Sequence, residues 1–188
     1  MALPDTPANL DEAVVIAVGS NLAGDHPSIE FLLDAATASL AGIGANVVAR
    51  SAWWRSAAWP DAGDPDYLNG VVIVETHHRP RALLAALAVL ERQFGRERGN
   101  ANAPRTLDLD LIAYGRTVIN ERGLIVPHPR ARERLFVMGP LAEVAPSWRH
   151  PVSGETAAAL AAAATVGSDS RPIREAHAAL HNRPRNAI

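Results

Sequence analysis

Apolar segments in the order strand, helix, strand, strand, helix, strand predict an α+β fold, a ferredoxin-like βαββαβ sandwich. It would hold a four-stranded antiparallel sheet, two helices on one face, and short helical additions toward the C-terminus. Three observations carry this reading. The strand segments are short apolar runs, alternating or continuous. The two helical segments repeat apolar residues three and four apart between recognisable start and stop residues. A length of 188 residues suits one domain large enough to bury a core.

Residues 1–12 are polar and Pro-containing and are expected to form a loose N-terminal end. Val14 to Val18 reads as a buried strand running into Gly19-Ser20-Asn21-Leu22, whose small and amide residues suit a turn. Asp25 or Pro27 starts a helix reaching about Ala41, with Ile29, Leu32, Leu33, Ala36 and Leu40 on one face, and Gly42 and Gly44 stop it. A second strand is expected from Asn46 to about Ser56. The stretch from Ala57 to Asp66, with two prolines and Trp59, reads as a mobile loop. Tyr67 to Thr76 is the third strand, and its period of two puts Tyr67 and Asn69 on one face. Pro80 opens a second helix to about Phe94, with Leu83, Leu84, Leu87, Val89 and Leu90 inward. A Gly/Asn-rich loop from Gly95 to Pro104 carries Arg96 and Arg98, and the fourth strand runs from Thr106 to Tyr114. A turn and short strand follow, then Pro127-His128-Pro129, where flanking prolines restrict the backbone around the imidazole. Arg132 to Met138, Leu141 to Pro146 and Glu155 to Thr165 read as helical pieces. The domain is expected over residues 13–166, with residues 167–188 a loosely ordered tail.

The chain is 48% hydrophobic and 20% charged, ordinary for a globular protein. With no cysteine, disulfides and thiolate metal sites are excluded, so any metal must use carboxylate or imidazole. No apolar run approaches the roughly 20 residues of a membrane span, and the N-terminus lacks signal-peptide regions. A cytoplasmic monomer is expected, with small-molecule substrates and no membrane or nucleic-acid partner. The net charge of −2 argues against general nucleic-acid affinity. Its distribution is uneven, however. All 18 basic residues are Arg, and nine of them fall between Arg92 and Arg134, where only five acids lie. Planar guanidinium groups grip phosphate oxygens bidentately, so this interval suits a polyphosphate.

Within that interval PRTLDLDLIAYG places Asp108 and Asp110 on one strand face and Leu107, Leu109 and Leu111 on the other. The two acids are separated by about 7 Å between Cα atoms, so their side chains can lean onto one or two hard cations. A pair of metals about 3.5–4 Å apart, as in phosphoryl transfer, would fit. A solvated edge-strand face would give the same spacing. Tyr67 offers a ring to stack on, and Asn69 offers an amide that both donates and accepts.

The motifs GSNL, DYLNG, E-x-x-x-G-R-x-R, PRTLDLDLIAYG and VPHPR followed by R-x-F, in this order, resemble the 6-hydroxymethyl-7,8-dihydropterin pyrophosphokinase family over roughly Val14 to Pro146. The resemblance implies transfer of pyrophosphate from ATP to the pterin hydroxymethyl oxygen in folate biosynthesis, releasing AMP. It implies two Mg²⁺ ions on Asp108 and Asp110, Mg²⁺ being preferred to Mn²⁺ for oxygen ligation with nucleotide. Arg96 and Arg98 would be the catalytic loop arginines, and Arg105, His128, Arg134 and Glu91 would lie against the nucleotide. Tyr67 and Phe136 would sandwich the pterin while Asn69 reads its edge. The chain departs from the family pattern at GNANAPR, where Asn102 replaces a stacking tryptophan, at WRSAAWP, and at Pro129; Trp59 is the candidate replacement ring. Other possibilities are a catalytically weakened relative, another two-metal nucleotidyl or phosphoryl transferase, and, of a different kind, an RNA-binding module. The last would have to present two aspartates to a polyanion.

Overall fold

A computed structural model describes residues 10–58, 63–96 and 106–173. Along the chain run β1 (Val14–Ser20), α1 (Ile29–Ser39), a 3-10 turn (Leu40–Ile43), β2 (Ala45–Arg50), β3 (Trp54–Ser56), β4 (Tyr67–Thr76), α2 (Pro80–Gln93) and β5 (Asp108–Tyr114). They are followed by the hairpin of β6 (Ile119–Glu121) and β7 (Leu124–Val126), then α3 (Leu135–Val144), α4 (Ala157–Ala163) and β8 (Arg171–Pro172).

Local chemistry accounts for the boundaries. Ser28 Oγ accepts from Phe31 N–H at 3.3 Å and caps α1, while Gly44 at φ +75° ends the turn behind it. Pro80 opens α2, where its missing N–H costs nothing. Thr156 Oγ1 accepts from Ala159 N–H at 3.2 Å at the start of α4.

The main sheet is antiparallel throughout, in the order β5-β1-β4-β3-β8, with β2 also paired to β4. A mixed fold with an antiparallel sheet is as the sequence predicts, but the sheet has six strands, not four. The expected strand from Asn46 to Ser56 breaks into β2 and β3 around Ser51. There Ser51 Oγ accepts Val71 N–H at 3.0 Å, and the Trp53 ring lies against Gly70, where an added Cβ would stand 2.6 Å from it. The sixth strand is β8, and Ile173 N–H donates to Trp53 O at 2.8 Å just beyond it.

Helices also cover both faces rather than one. One core packs Ile16, Val18, Leu68, Val72 and Val74 of the sheet under α1 and α2. The other packs Val15, Val71, Ile73 and Ile112 under α3 and α4, around the fully buried Met138, Leu141 and Trp148. Strands β1 and β4 are apolar at both parities, so each has two faces to bury. Arg132 to Met138 is not one helix: Ala131–Glu133 forms a 3-10 turn and α3 begins at Leu135. Among the described residues no helix is long and apolar enough to cross a membrane.

Candidate active site

Strand register assembles the site. Gly19 stands opposite Asn69 on one side and Asp108 on the other, and Ala17 stands opposite Val71 and Asp110. Trp54 stands opposite Asn69, and Ser56 opposite Tyr67. Directly opposed residues in an antiparallel sheet share a face. One row therefore reads Trp54, Asn69, Gly19, Asp108, with Ala17 and Asp110 one step inward and Tyr67 one step outward. With strands about 4.8 Å apart, Asn69 and Asp108 lie roughly 10 Å apart across a floor of one glycine.

That glycine is there for space. Its φ is ordinary, yet an added Cβ would stand 2.8 Å from Asn69 Oδ1. The amide is held: Asn69 Nδ2 donates to Ser56 Oγ at 3.3 Å, leaving the amide oxygen over Gly19. Asn21, itself buried, donates from Nδ2 to Pro65 O at 3.5 Å and ties the turn after β1 to the approach to β4.

On the acid side, Leu107, Leu109 and Leu111 are buried on the α1/α2 face, so Asp108 and Asp110 project from the opposite one. Glu91, near the end of α2, is only 8% exposed, and its Oε1 accepts Leu109 N–H at 2.8 Å, between the two aspartates. Arg96 Nη1 lies 2.8 Å from Asp108 Oδ1 and also meets Glu91 Oε1. Burial pushes the Asp110 carboxyl above its usual range, as does the charge of Asp108, against the opposing pull of His128, Arg134 and Arg96. A half-buried pair of like charges with oxygen donors fits a hard divalent cation. No group of three or more His, Asp or Glu converges among the described residues, so a cation on this pair would complete its shell with water or substrate oxygens.

Opposite the acids, His128 N–H donates to Ile112 O at 2.9 Å, fixing the Pro-His-Pro segment to β5. Its Nδ1 accepts Arg130 N–H at 3.3 Å, so the neutral ring carries its proton on Nε2. Burial lowers its pKa, and the charges of Arg134 and Arg130 add to this against the pull of Asp110. Arg134 precedes α3 with its guanidinium carbon 5.5 Å from the Phe136 ring centroid, and burial draws its own pKa down. The Phe136 ring packs on the turn at Gly167, where a Cβ would stand 2.6 Å from it.

The structure thus brings together Asp108, Asp110, Arg96, Glu91, His128 and Arg134, with Phe136 beside Arg134. Tyr67 and Asn69 lie across Gly19 on the same sheet face. Arg98, Arg105, Asn102 and Trp59 lie outside the described residues. Sequence reasoning missed Gly19 as a floor, Ser56 as the holder of Asn69, and the clamp on Trp54. There Glu143 accepts Trp54 Nε1–H at 2.9 Å and Ala52 N–H at 2.8 Å, and Gly139 admits the indole, since a Cβ would stand 2.6 Å from it. The GSNL motif and the paired tryptophans were the available signals. A surface depression of about 490 Å³, lined in part by Val14, Val74, Thr76 and Tyr114, lies at the opposite end of the strands from Asp108.

Residues 15–146 match the family model described as 7,8-dihydro-6-hydroxymethylpterin-pyrophosphokinase. The chain is 40% identical over 142 residues to the 2-amino-4-hydroxy-6-hydroxymethyldihydropteridine pyrophosphokinase of Synechocystis, covering 76% of this chain and 71% of that protein. It is 35% identical over 161 residues to the protein of the same name from Pseudomonas aeruginosa, covering 86% and 98%. A crystal structure of Plasmodium falciparum HPPK-DHPS has a similar fold, with a TM-score of 0.66 at 12% identity. That likeness covers 85% of this chain but under half, 47%, of the Plasmodium chain.

Proposed function

The chain belongs to the 7,8-dihydro-6-hydroxymethylpterin-pyrophosphokinase family, and from that premise we propose how its residues divide the work of moving pyrophosphate from ATP to the pterin hydroxymethyl oxygen. The observation that carries the reading is the row Asn69, Gly19, Asp108: a small floor between a held amide and an acid pair.

A flat two-ring substrate fits a gap of roughly 10 Å. Asn69, with its Nδ2 engaged by Ser56, offers its oxygen to a ring N–H. Tyr67 and Phe136 supply aromatic faces for the rings. The hydroxymethyl group then points along the row to Asp108 and Asp110. These two aspartates would hold divalent cations, two Mg²⁺ on the family pattern, which supply charge neutralisation for polyphosphate oxygens and the attacking hydroxyl. Arg134 sits within the field of the acid pair, and His128 offers Nε2–H as a neutral donor. Arg134 and Arg96 give positive charge, and on the family pattern Arg98 and Arg105 would add to it, where negative charge develops on the transferred group. The chemistry needs positioning and charge, not a protein nucleophile.

On this reading the pyrophosphokinase domain, expected over residues 13–166 and extended through β8 to Ile173, acts in folate synthesis as a cytoplasmic monomer on two small molecules, without nucleic acid or membrane. The test is product analysis with ATP, Mg²⁺ and 6-hydroxymethyl-7,8-dihydropterin. AMP should appear in step with pterin diphosphate and be lost in Asp108→Ala and Asp110→Ala. ADP as the product would reject the reading.

A further inference from the structure

Arg96 already contacts a carboxylate that the proposed reaction requires. Its Nη1 is shared between Asp108 Oδ1, at 2.8 Å, and Glu91 Oε1. The Glu91 carboxylate is buried, and the same oxygen accepts Leu109 N–H at 2.8 Å. One buried oxygen is therefore tied both to the backbone between the two aspartates and to the guanidinium. The Arg96 side chain is itself 24% exposed, so the pair is half sheltered from solvent and poorly screened.

A divalent cation drawn to both aspartates needs the Asp108 oxygens. A guanidinium in contact with one of those oxygens opposes it twice, by occupying a lone pair and by like charge. Glu91 gives Arg96 a second anchor that does not depend on Asp108. The displaced guanidinium would then stay at the rim of the site instead of escaping into solvent. Resting on the metal role proposed above for the acid pair, we propose that Arg96, tethered to Glu91, is the resident counter-cation of Asp108 and that divalent metal loading displaces it. Glu91 is then a positioning residue, holding the strand between the acids and the arginine beside them, and not a group that touches nucleotide.

The test uses the nucleotide-free full chain and two readouts that need no turnover. Mn²⁺ binding is titrated by the paramagnetic resonance of the free ion, and the Arg96 Nε–H resonance is followed during Mg²⁺ addition. Arg96→Ala should tighten Mn²⁺ binding by roughly tenfold or more, as expected when a charged hydrogen bond no longer competes. Arg130→Ala, which removes an exposed charge beside His128, should change it less than about twofold on the same reasoning. The Arg96 Nε–H signal should shift in proportion to metal occupancy. Unchanged or weaker Mn²⁺ affinity in Arg96→Ala, equal effects of the two variants, or an unmoved Arg96 signal would each overturn the displacement. Asp108→Asn and Asp110→Asn separate the two levels of the argument. If they abolish Mn²⁺ binding while Arg96→Ala has no effect, only the displacement fails; if they leave binding intact, the metal reading fails with it. Retained protection of the Leu109 amide in Arg96→Ala confirms that its fold is intact.

Discussion

Gly19→Ala isolates the floor of the trough. Because φ at Gly19 is one that any residue adopts, the substitution introduces no backbone strain, only a methyl group. That methyl would sit 2.8 Å from Asn69 Oδ1 and 3.8 Å from Leu68 O, so the amide must move and the backbone need not. Rotating Asn69 breaks its bond to Ser56, whose side chain is 5% exposed and has no water to turn to. A net hydrogen bond is worth about 0.5–1.5 kcal/mol, and a misfitted methyl in a packed site costs about 1–3 kcal/mol. Part of the second term is relieved by the rotation, so about 2 kcal/mol of pterin affinity should be lost, roughly thirtyfold in Kd. Stability should fall by no more than about 1.5 kcal/mol, the upper value of the hydrogen bond.

Calorimetric titration with the pterin, and separately with a non-hydrolysable ATP analogue, checks this. Nucleotide affinity should stay within about twofold, because no atom of the acid side moves. Gly139→Ala is the contrast. Its Cβ would meet the rigid Trp54 ring at 2.6 Å, and that ring is pinned by Glu143, so stability should fall by about 1–3 kcal/mol. Pterin binding by Gly19→Ala within twofold of the parent, or an equal loss of nucleotide affinity, would refute the assignment of the row as the pterin floor.

Three further outcomes are expected. Asp110 has a raised pKa in the fold, so its charge costs stability above that pKa, and the cost vanishes as pH falls below the unfolded value of 3.8. Asp110→Asn should therefore melt at a higher temperature than the parent at pH 7 without metal, converge with it in acid, and lose turnover by at least about a hundredfold. His128 and His150 are held below 6.5, so the unfolded chain binds protons there that the fold does not. Urea stability should decline as pH drops through 6.5 toward the lowered folded values, and His128→Gln should flatten that slope. Glu143→Ala removes the shared acceptor of Trp54 and Ala52 and should lower the urea midpoint, by a stability of about 0.5–1.5 kcal/mol, with altered tryptophan emission.

Elements with a clear period were legible in the sequence. Tyr67–Thr76 has the predicted bounds, and α2 ends one residue before the predicted Phe94. The placement of Asp108 and Asp110 opposite the leucines followed from alternation alone. What escaped were features set by pairs of distant residues. The break at Ser51 depends on a hydroxyl bonding to Val71 across the sheet, and nothing local marks it. Two-sided coverage was encoded more openly. Val14-Val15-Ile16 and Val71-Val72-Ile73-Val74 are apolar at both parities, which a sheet with one solvated face would not need. The helix that answers them, α3, was obscured because Gly139 and Pro140 interrupt its sequence, and the reason for Gly139 lies in Trp54, 85 positions earlier.

The same two-sided coverage explains why the acids can stand where they do. On the α1/α2 face the core continues to the end of the strands, through Val18, Leu68, Leu107 and Leu109. On the other face α3 starts just after Arg134, which lies within the field of Asp110, and packs Gly139 and Glu143 on Trp54, so it meets the row at its Trp54 end. Residues under that helix are Val15, Val71, Ile73 and Ile112; those beyond it are Gly19, Asn69 and the two aspartates. A half-buried carboxylate pair costs stability, as the raised Asp110 shows, and it is held in place by interactions on the fully buried face. Glu91 reaches Leu109 N–H from α2, and the leucines anchor the strand from beneath. The scaffold therefore fixes the strand from one side while leaving the other open to ligand. Substitutions at Leu107, Leu109 or Leu111 should disturb the proposed cation site through the backbone without touching it.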